Sequence, residues 1–198
     1  MRLVRSCLGL FALVGLYFLT CSVLRNLAFA SSSAPPVVYT VRLSLSSSLP
    51  VVGPPSLSPA FVDRVLLAYH FPTVGLGQAL YADSQHFQID DAVALAFFLH
   101  ESGFGATGVA RFTHSLGNLI CSGYATCYAG FRSYPTWQAG AWDWFRLIHD
   151  EYLPRSLSTV QRIIPVYAPS SDGNNVNAYI AAVCSAVSAW HTGRVWVS

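Results

Sequence analysis

The chain has 198 residues and a formal net charge of +2, with 10% charged residues against 53% hydrophobic ones. All eleven basic residues are arginines scattered along the chain, so it lacks the basic stripe that nucleic acid requires. The length allows one domain with an N-terminal extension.

Arg2 and Arg5 precede an apolar run from about Cys7 to Leu24, and Arg25 follows it. The run exceeds an ordinary signal-peptide core and is just long enough to cross a bilayer as a helix. Ala28-Phe29-Ala30 reads as a small-x-small cleavage site. Residues 1–30 are therefore expected as a signal peptide or a transmembrane signal anchor. The arginine balance places the N-terminus inside and the domain outside. The expected location is extracytoplasmic, either membrane-anchored or secreted after cleavage near Ala30. Residues 31–57 are rich in Ser and Pro and read as an extended linker. Val37 to Leu45 alternates weakly and is counted with that linker.

The globular domain is expected over 58–198 and should be mostly α-helical. Ser58-Pro59 is a helix start, with Phe61, Val62, Val65, Leu66 and Tyr69 at helical spacing before Pro72. Leu76 to Phe87 reads as a second helix and Asp90 to Ser102 as a third. The third is apolar nearly all round from Val93 to Leu99, which marks it as the buried central helix. Ala106 to Thr113 should form a short helical turn. Ser115 to Tyr134 has no helical period and reads as a loop with one short hairpin. It carries Asn118, Tyr124, Tyr128, Phe131 and Tyr134. Pro135 is expected to open a helix through Trp137, Trp144 and Ile148, and Ser158 to Ile164 a shorter one. Tyr167 to Asn175, including Asp172 and Asn174, is a polar loop. Asn175 can cap a last helix whose face is Ile180, Val183, Cys184, Val187 and Trp190.

One residue stands out. Glu101 closes the central helix and is one of only two glutamates in the chain. Apolar surroundings and the negative end of the helix dipole both disfavour its ionised form. A raised carboxyl pKa is what a general acid needs at neutral pH. A glutamate facing solvent just past the helix would have the same spacing. The cysteines suggest no nucleophile. Cys121 and Cys127 lie six apart and can close a loop disulfide in an exported chain. Cys184 reads as a buried small hydrophobe. His100-Glu101 lacks a second histidine four residues on, so the zinc-protease pattern fails, and no metal or cofactor is expected.

Leu95-Ala96-Phe97-Phe98-Leu99-His100-Glu101-Ser102-Gly103-Phe104-Gly105 resembles the Glu-Ser-Gly-aromatic-Gly signature of bacterial glucosaminidase domains. These are endo-β-N-acetylglucosaminidases that cut peptidoglycan. Ser115-Leu116-Gly117-Asn118-Leu119 is similar to the family's Asn-Leu segment, and Gly130-Phe131-Arg132-Ser133-Tyr134 to its groove-lining aromatic stretch. Tyr167-Ala168, then Asp172 and Tyr179, resembles its late pattern near the last helix. The similarity covers about Phe61 to Trp190. It departs at Cys121–Cys127, which replaces the Phe-Gly-Ile run that usually follows Asn-Leu. No wall-binding repeat accompanies the matched region, which leaves targeting to the N-terminal segment.

The resemblance implies a lysozyme-like fold and a glycosidase acting on peptidoglycan strands as a monomer. It implies Glu101 as general acid, with Asp172 or Tyr179 completing the reaction. Asn118, Tyr124, Phe131, Tyr134, Tyr167 and Asn174 would line the sugar groove, with Trp137 in the core. Asp143 and Glu151 are the other acids near enough in type to serve as a second carboxylate, and both read as solvated on a helix. Substrate assistance by the N-acetyl group, with Tyr167 or Tyr179 as polar partner, is the other route. A lytic transglycosylase or muramidase would share Glu101. A silent glycan-binding module would keep only the groove.

Overall fold

The computed structural model describes residues 48–71 and 75–197. The expected membrane run, its cleavage site, the weak strand pattern and most of the linker lie outside the described residues. Among the described residues, no helix is long and apolar enough to cross a membrane.

The domain is mostly helical, as its periodicity predicts. Helix α1 spans Pro59–Ala68, and the Ser58 side chain accepts from Phe61 N at 3.2 Å to cap it. Helix α2 spans Leu76–Phe87 and α3 Asp91–Ser102. Every residue of α3 from Asp91 to Phe98 is buried. Asp90 Oδ1 accepts from Ala92 N at 2.9 Å at its start. Gly103 at φ 54° stops it, its N–H returning to Leu99 O. The turn expected over 106–113 contracts to a single-turn helix, α4, at Ala110–Thr113. One hairpin follows: β1 (Cys127–Tyr128) pairs antiparallel with β2 (Phe131–Arg132). Its turn residues Ala129 and Gly130 both take positive φ, as a primed two-residue turn demands.

Helix α5 covers Trp137–Leu147. Its cap is Thr136, whose side chain accepts from Ala139 N at 3.2 Å, so Pro135 precedes the helix instead of opening it. The chain then widens into a π-helical turn at Ile148–Tyr152 and tightens into a 3-10 turn at Leu153–Arg155, neither of which the periodicity announces. Helix α6, Val160–Tyr167, runs three residues beyond the expected Ile164 and contains Pro165. Helix α7 spans Val176–His191, and Asn175 Oδ1 caps it by accepting from Ala178 N at 3.0 Å.

Helices α1, α2 and α5 pack in sequence, α7 packs along α3, and α6 packs on α7. Phe97 is the junction of the core. Its ring lies 5.2 Å from Trp144, 5.4 Å from Tyr167 and 5.5 Å from Tyr179. Burying each such aromatic contributes roughly 2–3 kcal/mol. Trp137 is buried, as expected of a core residue.

Two expectations need correction. The end of the linker belongs to the domain. Residues 49–57 form a strap in which Val51 and Leu57 are buried. Val51 N donates to Ser158 O and its carbonyl accepts from Asp90 N, each at 2.9 Å. Ser56 N and Leu57 N donate to Asp91 Oδ1. Ser/Pro composition signalled a spacer, but the apolar residues among the prolines found a core to enter. Cys184 is half-buried, not sealed in the core, because it sits at the rim of a cavity beside Leu49.

Candidate active site

The end of α3 carries Glu101, and three separate pieces of chain converge on it. Tyr179, one turn into α7, donates its hydroxyl to Glu101 Oε1 at 2.7 Å. Asn118 Nδ2 donates to the Glu101 carbonyl oxygen at 2.7 Å. Asn118 holds φ at 48°, a left-handed conformation that asparagine tolerates better than most residues. Tyr167, at the end of α6, donates its hydroxyl to Gly117 O and so holds the same loop from the far side. Gly117 must be glycine here, since a Cβ would come within 2.7 Å of the Tyr167 hydroxyl and would meet Trp144 as well. The His100 ring stacks on Tyr179, with centroids 3.7 Å apart.

Ser102 is the residue whose role the spacing did not reveal. It is fully buried and its hydroxyl serves three backbone groups. It lies 3.2 Å from Phe98 O and 2.8 Å from Leu116 O, and accepts from Gly105 N at 2.8 Å. It thereby joins the end of α3, the turn after it and the loop that carries Asn118. The only signal in the chain is its place after Glu101 and three residues before Gly105.

Burial pushes the Glu101 carboxyl above the usual carboxylate range, and hydrogen bonds from Tyr179 and Asn118 partly oppose this. Burial, then the charge of Glu101, pushes Tyr167 and Tyr179 well above the ordinary phenol value. Both therefore remain neutral donors at any working pH. Burial also lowers the His100 pKa. No carboxylate contributes to the Glu101 shift among the described residues. The Asn118 side-chain oxygen is buried and has no partner among the described residues. Asn118 lines a cavity of about 210 Å³ together with Tyr167, Tyr152 and Arg132.

The other residues singled out from the sequence are placed differently. Asp172 lies on an exposed 3-10 turn, with the Ser171 hydroxyl 3.1 Å from its carboxylate. Asn174 is exposed and donates to Pro169 O at 3.2 Å. Phe131 is half-buried in β2. Tyr134 is buried, and its hydroxyl donates to Asp143 Oδ2 at 2.6 Å. Tyr124 packs edge-on against Tyr134, and the Arg132 guanidinium lies 5.0 Å from its ring centre. Cys121 and Cys127 are joined as a disulfide, with Cα atoms 5.9 Å apart.

Asp143, expected as a solvated helix residue, is 2% exposed and bound by Arg132 Nη1 at 2.8 Å and Arg146 Nη2 at 2.5 Å. Burial alone would raise its pKa, but hydrogen bonds from Tyr134, Arg132 and Arg146 outweigh it and hold the carboxyl below the usual range. An ionised, fully engaged carboxylate of this kind organises structure and has no proton to give. Glu151 is exposed on the π-helical turn. Among the described residues no group of three His, Cys, Asp or Glu side chains is arranged to hold a metal ion. Neither a protein-family model nor a curated protein matches the chain.

Proposed function

We propose that the chain is an exported glycosidase of lysozyme-like architecture that cuts β-1,4 bonds of N-acetylglucosamine-containing glycan, with peptidoglycan as its substrate. The observation that carries this reading is the Glu101 carboxyl. It ends a buried helix, its pKa is raised by burial, and Tyr179 fixes it at 2.7 Å. A carboxylic acid whose pKa is raised is the kind of group that donates a proton to a leaving glycosidic oxygen. The resemblance around Glu101, Asn118, Tyr167 and Tyr179 supports the reading further, since these four belong to one cluster.

Two-carboxylate hydrolysis needs a second acid at a defined distance. Asp143 is committed to two arginines, and Asp172 is an exposed turn residue. Substrate assistance is therefore the favoured route. Glu101 protonates the departing oxygen while the substrate's own N-acetyl oxygen attacks the anomeric carbon. Asn118 and Tyr167 line the adjoining cavity, where a sugar unit would lie. A single acid without a partner carboxylate also serves a lytic transglycosylase, in which a hydroxyl of the substrate takes the place of water.

Product ends decide between these. The purified full-length chain is incubated with peptidoglycan, and the products are reduced with borohydride and identified by mass spectrometry. Reduced N-acetylglucosamine ends are expected. Reduced or anhydro N-acetylmuramic ends would reassign the enzyme as a muramidase or transglycosylase. Sedimentation with glycan and no new ends would leave a binding module and overturn the enzymatic reading.

A further inference from the structure

Beside the cavity walled by Asn118 and Tyr167 lies a second one, of about 190 Å³ and distinctly polar, and the two share Ser122, Arg132 and Leu147 in their walls. Charges of both signs face it. Arg132 and Arg146 line it, both bound to Asp143. Two guanidiniums against one carboxylate leave one net positive charge. Arg132 is 14% exposed, with Nη1 on Asp143, Nε on Ile120 O at 3.2 Å and its guanidinium near the Tyr124 ring. Arg146 is 40% exposed and binds Asp143 through Nε and Nη2, which leaves Nη1 without a partner among the described residues. Asp150 and Glu151 line the same cavity. Both belong to the π-helical turn that follows Leu147. The Asp150 carboxylate meets His149 at 2.7 Å, whereas Glu151 has no side-chain partner among the described residues.

A guanidinium edge anchored on a buried carboxylate recognises an anionic group, and two carboxylates lining the same cavity recognise a cationic one. A neutral sugar uses neither. We propose that this second cavity binds the zwitterionic peptide carried by the glycan, with a peptide carboxylate at Arg146 and a peptide ammonium at Glu151 and Asp150. The identification of the ligand as a glycan-borne peptide rests on the glycosidase reading; the pairing of charges in the cavity does not. The peptide then sets which stretch of strand reaches Glu101, and peptide-free glycan loses this contact.

The test has two arms that fail separately. In the first, Nα-acetyl-lysyl-D-alanyl-D-alanine is titrated into the full-length chain by calorimetry. It is compared with its C-terminal amide and with the peptide acetylated on the lysine side chain. Each capped peptide, and each of the variants Glu151→Gln and Arg146→Gln with the uncapped peptide, is expected to bind about fivefold more weakly, the factor of one exposed ion pair. Equal affinity of capped and uncapped peptides, or no binding of the uncapped one, overturns the proposal. In the second arm the wild-type chain is given glycan with its peptides intact and the same glycan after an amidase has removed them. A higher kcat/KM on the peptide-bearing strand supports the proposal, and equal values overturn it. If neither strand is cut while the peptide still binds with its charge dependence, the glycosidase reading fails and the charged cavity stands as a peptide site.

Discussion

Burial raises the Glu101 pKa and one phenol holds the carboxyl in place, and these two effects can be separated by mutation. Glu101→Gln keeps the shape and the hydrogen bond acceptor but removes the acid. Its kcat on glycan should fall by about 10²- to 10⁴-fold, the usual contribution of a general acid, with an unchanged melting temperature. Tyr179→Phe tests the electrostatics. The hydroxyl stabilises the ionised carboxylate, and so lowers the Glu101 pKa. Its removal should raise that pKa and move the alkaline limb of kcat/KM to higher pH. A limb that stays or moves to lower pH would show that Tyr179 does not act on the ionisation of Glu101. Tyr167 acts one step further out, because its bond reaches the Gly117 backbone and not the carboxylate.

At the scale of elements, the site depends on how the end of α3 is tied to the loop after it. Glu101 would be an ordinary helix terminus if residues 116–118 lay elsewhere. Ser102 prevents this, with one hydroxyl serving Phe98, Gly105 and Leu116. Ser102→Ala leaves the Gly105 N–H and the Leu116 carbonyl without their buried partner. Its expected cost is about 2–3 kcal/mol, read from urea denaturation, and turnover should fall further than stability alone explains. Helix periodicity and caps made α1, α2, α3 and α7 legible in the chain, because Ser58, Asp90, Gly103 and Asn175 act within one turn of themselves. The π-helical turn was not legible. It is set by what α5 packs against, and it carries Asp150 and Glu151.

For the whole molecule, the strap over 49–57 is fastened by a buried carboxylate, which makes stability depend on pH. Burial pushes Asp91 up to about 6, against the opposing bonds from Leu57 and Ser56, and the neighbouring Asp90 raises it further. Its folded pKa thus exceeds the value of about 3.9 in an unfolded chain. The folded state binds the extra proton between these values, so this contribution to stability is full below about pH 4 and is lost as pH rises through about 6. Asp91→Asn keeps an oxygen for the Ser56 and Leu57 N–H groups and removes the ionisation. It should melt higher than wild type at pH 7–8, by the equivalent of about 1–3 kcal/mol, and the difference should close toward pH 4. A variant that is less stable at pH 7 would show that the Asp91 charge is favourable to the fold.

The amino-acid sequence by itself determined the helical class, the buried central helix and the position of Glu101 at its end. Each follows from interactions that reach no further than four residues: apolar periodicity, an Asp90 cap and a Gly103 stop. Tertiary structure alone decided which residues meet. Tyr179 lies 78 positions from Glu101 and Asn118 17 positions away, and no local rule specifies either contact. The same holds for Asp143, whose helical spacing suggests a solvated acid until Arg132, Tyr134 and Arg146 are brought around it. It holds too for the strap, whose composition is that of a spacer and whose place is set by the core it covers. Short-range chemistry writes elements into a chain; the ionisation and partners of a buried group depend on surfaces that exist only after those elements have packed.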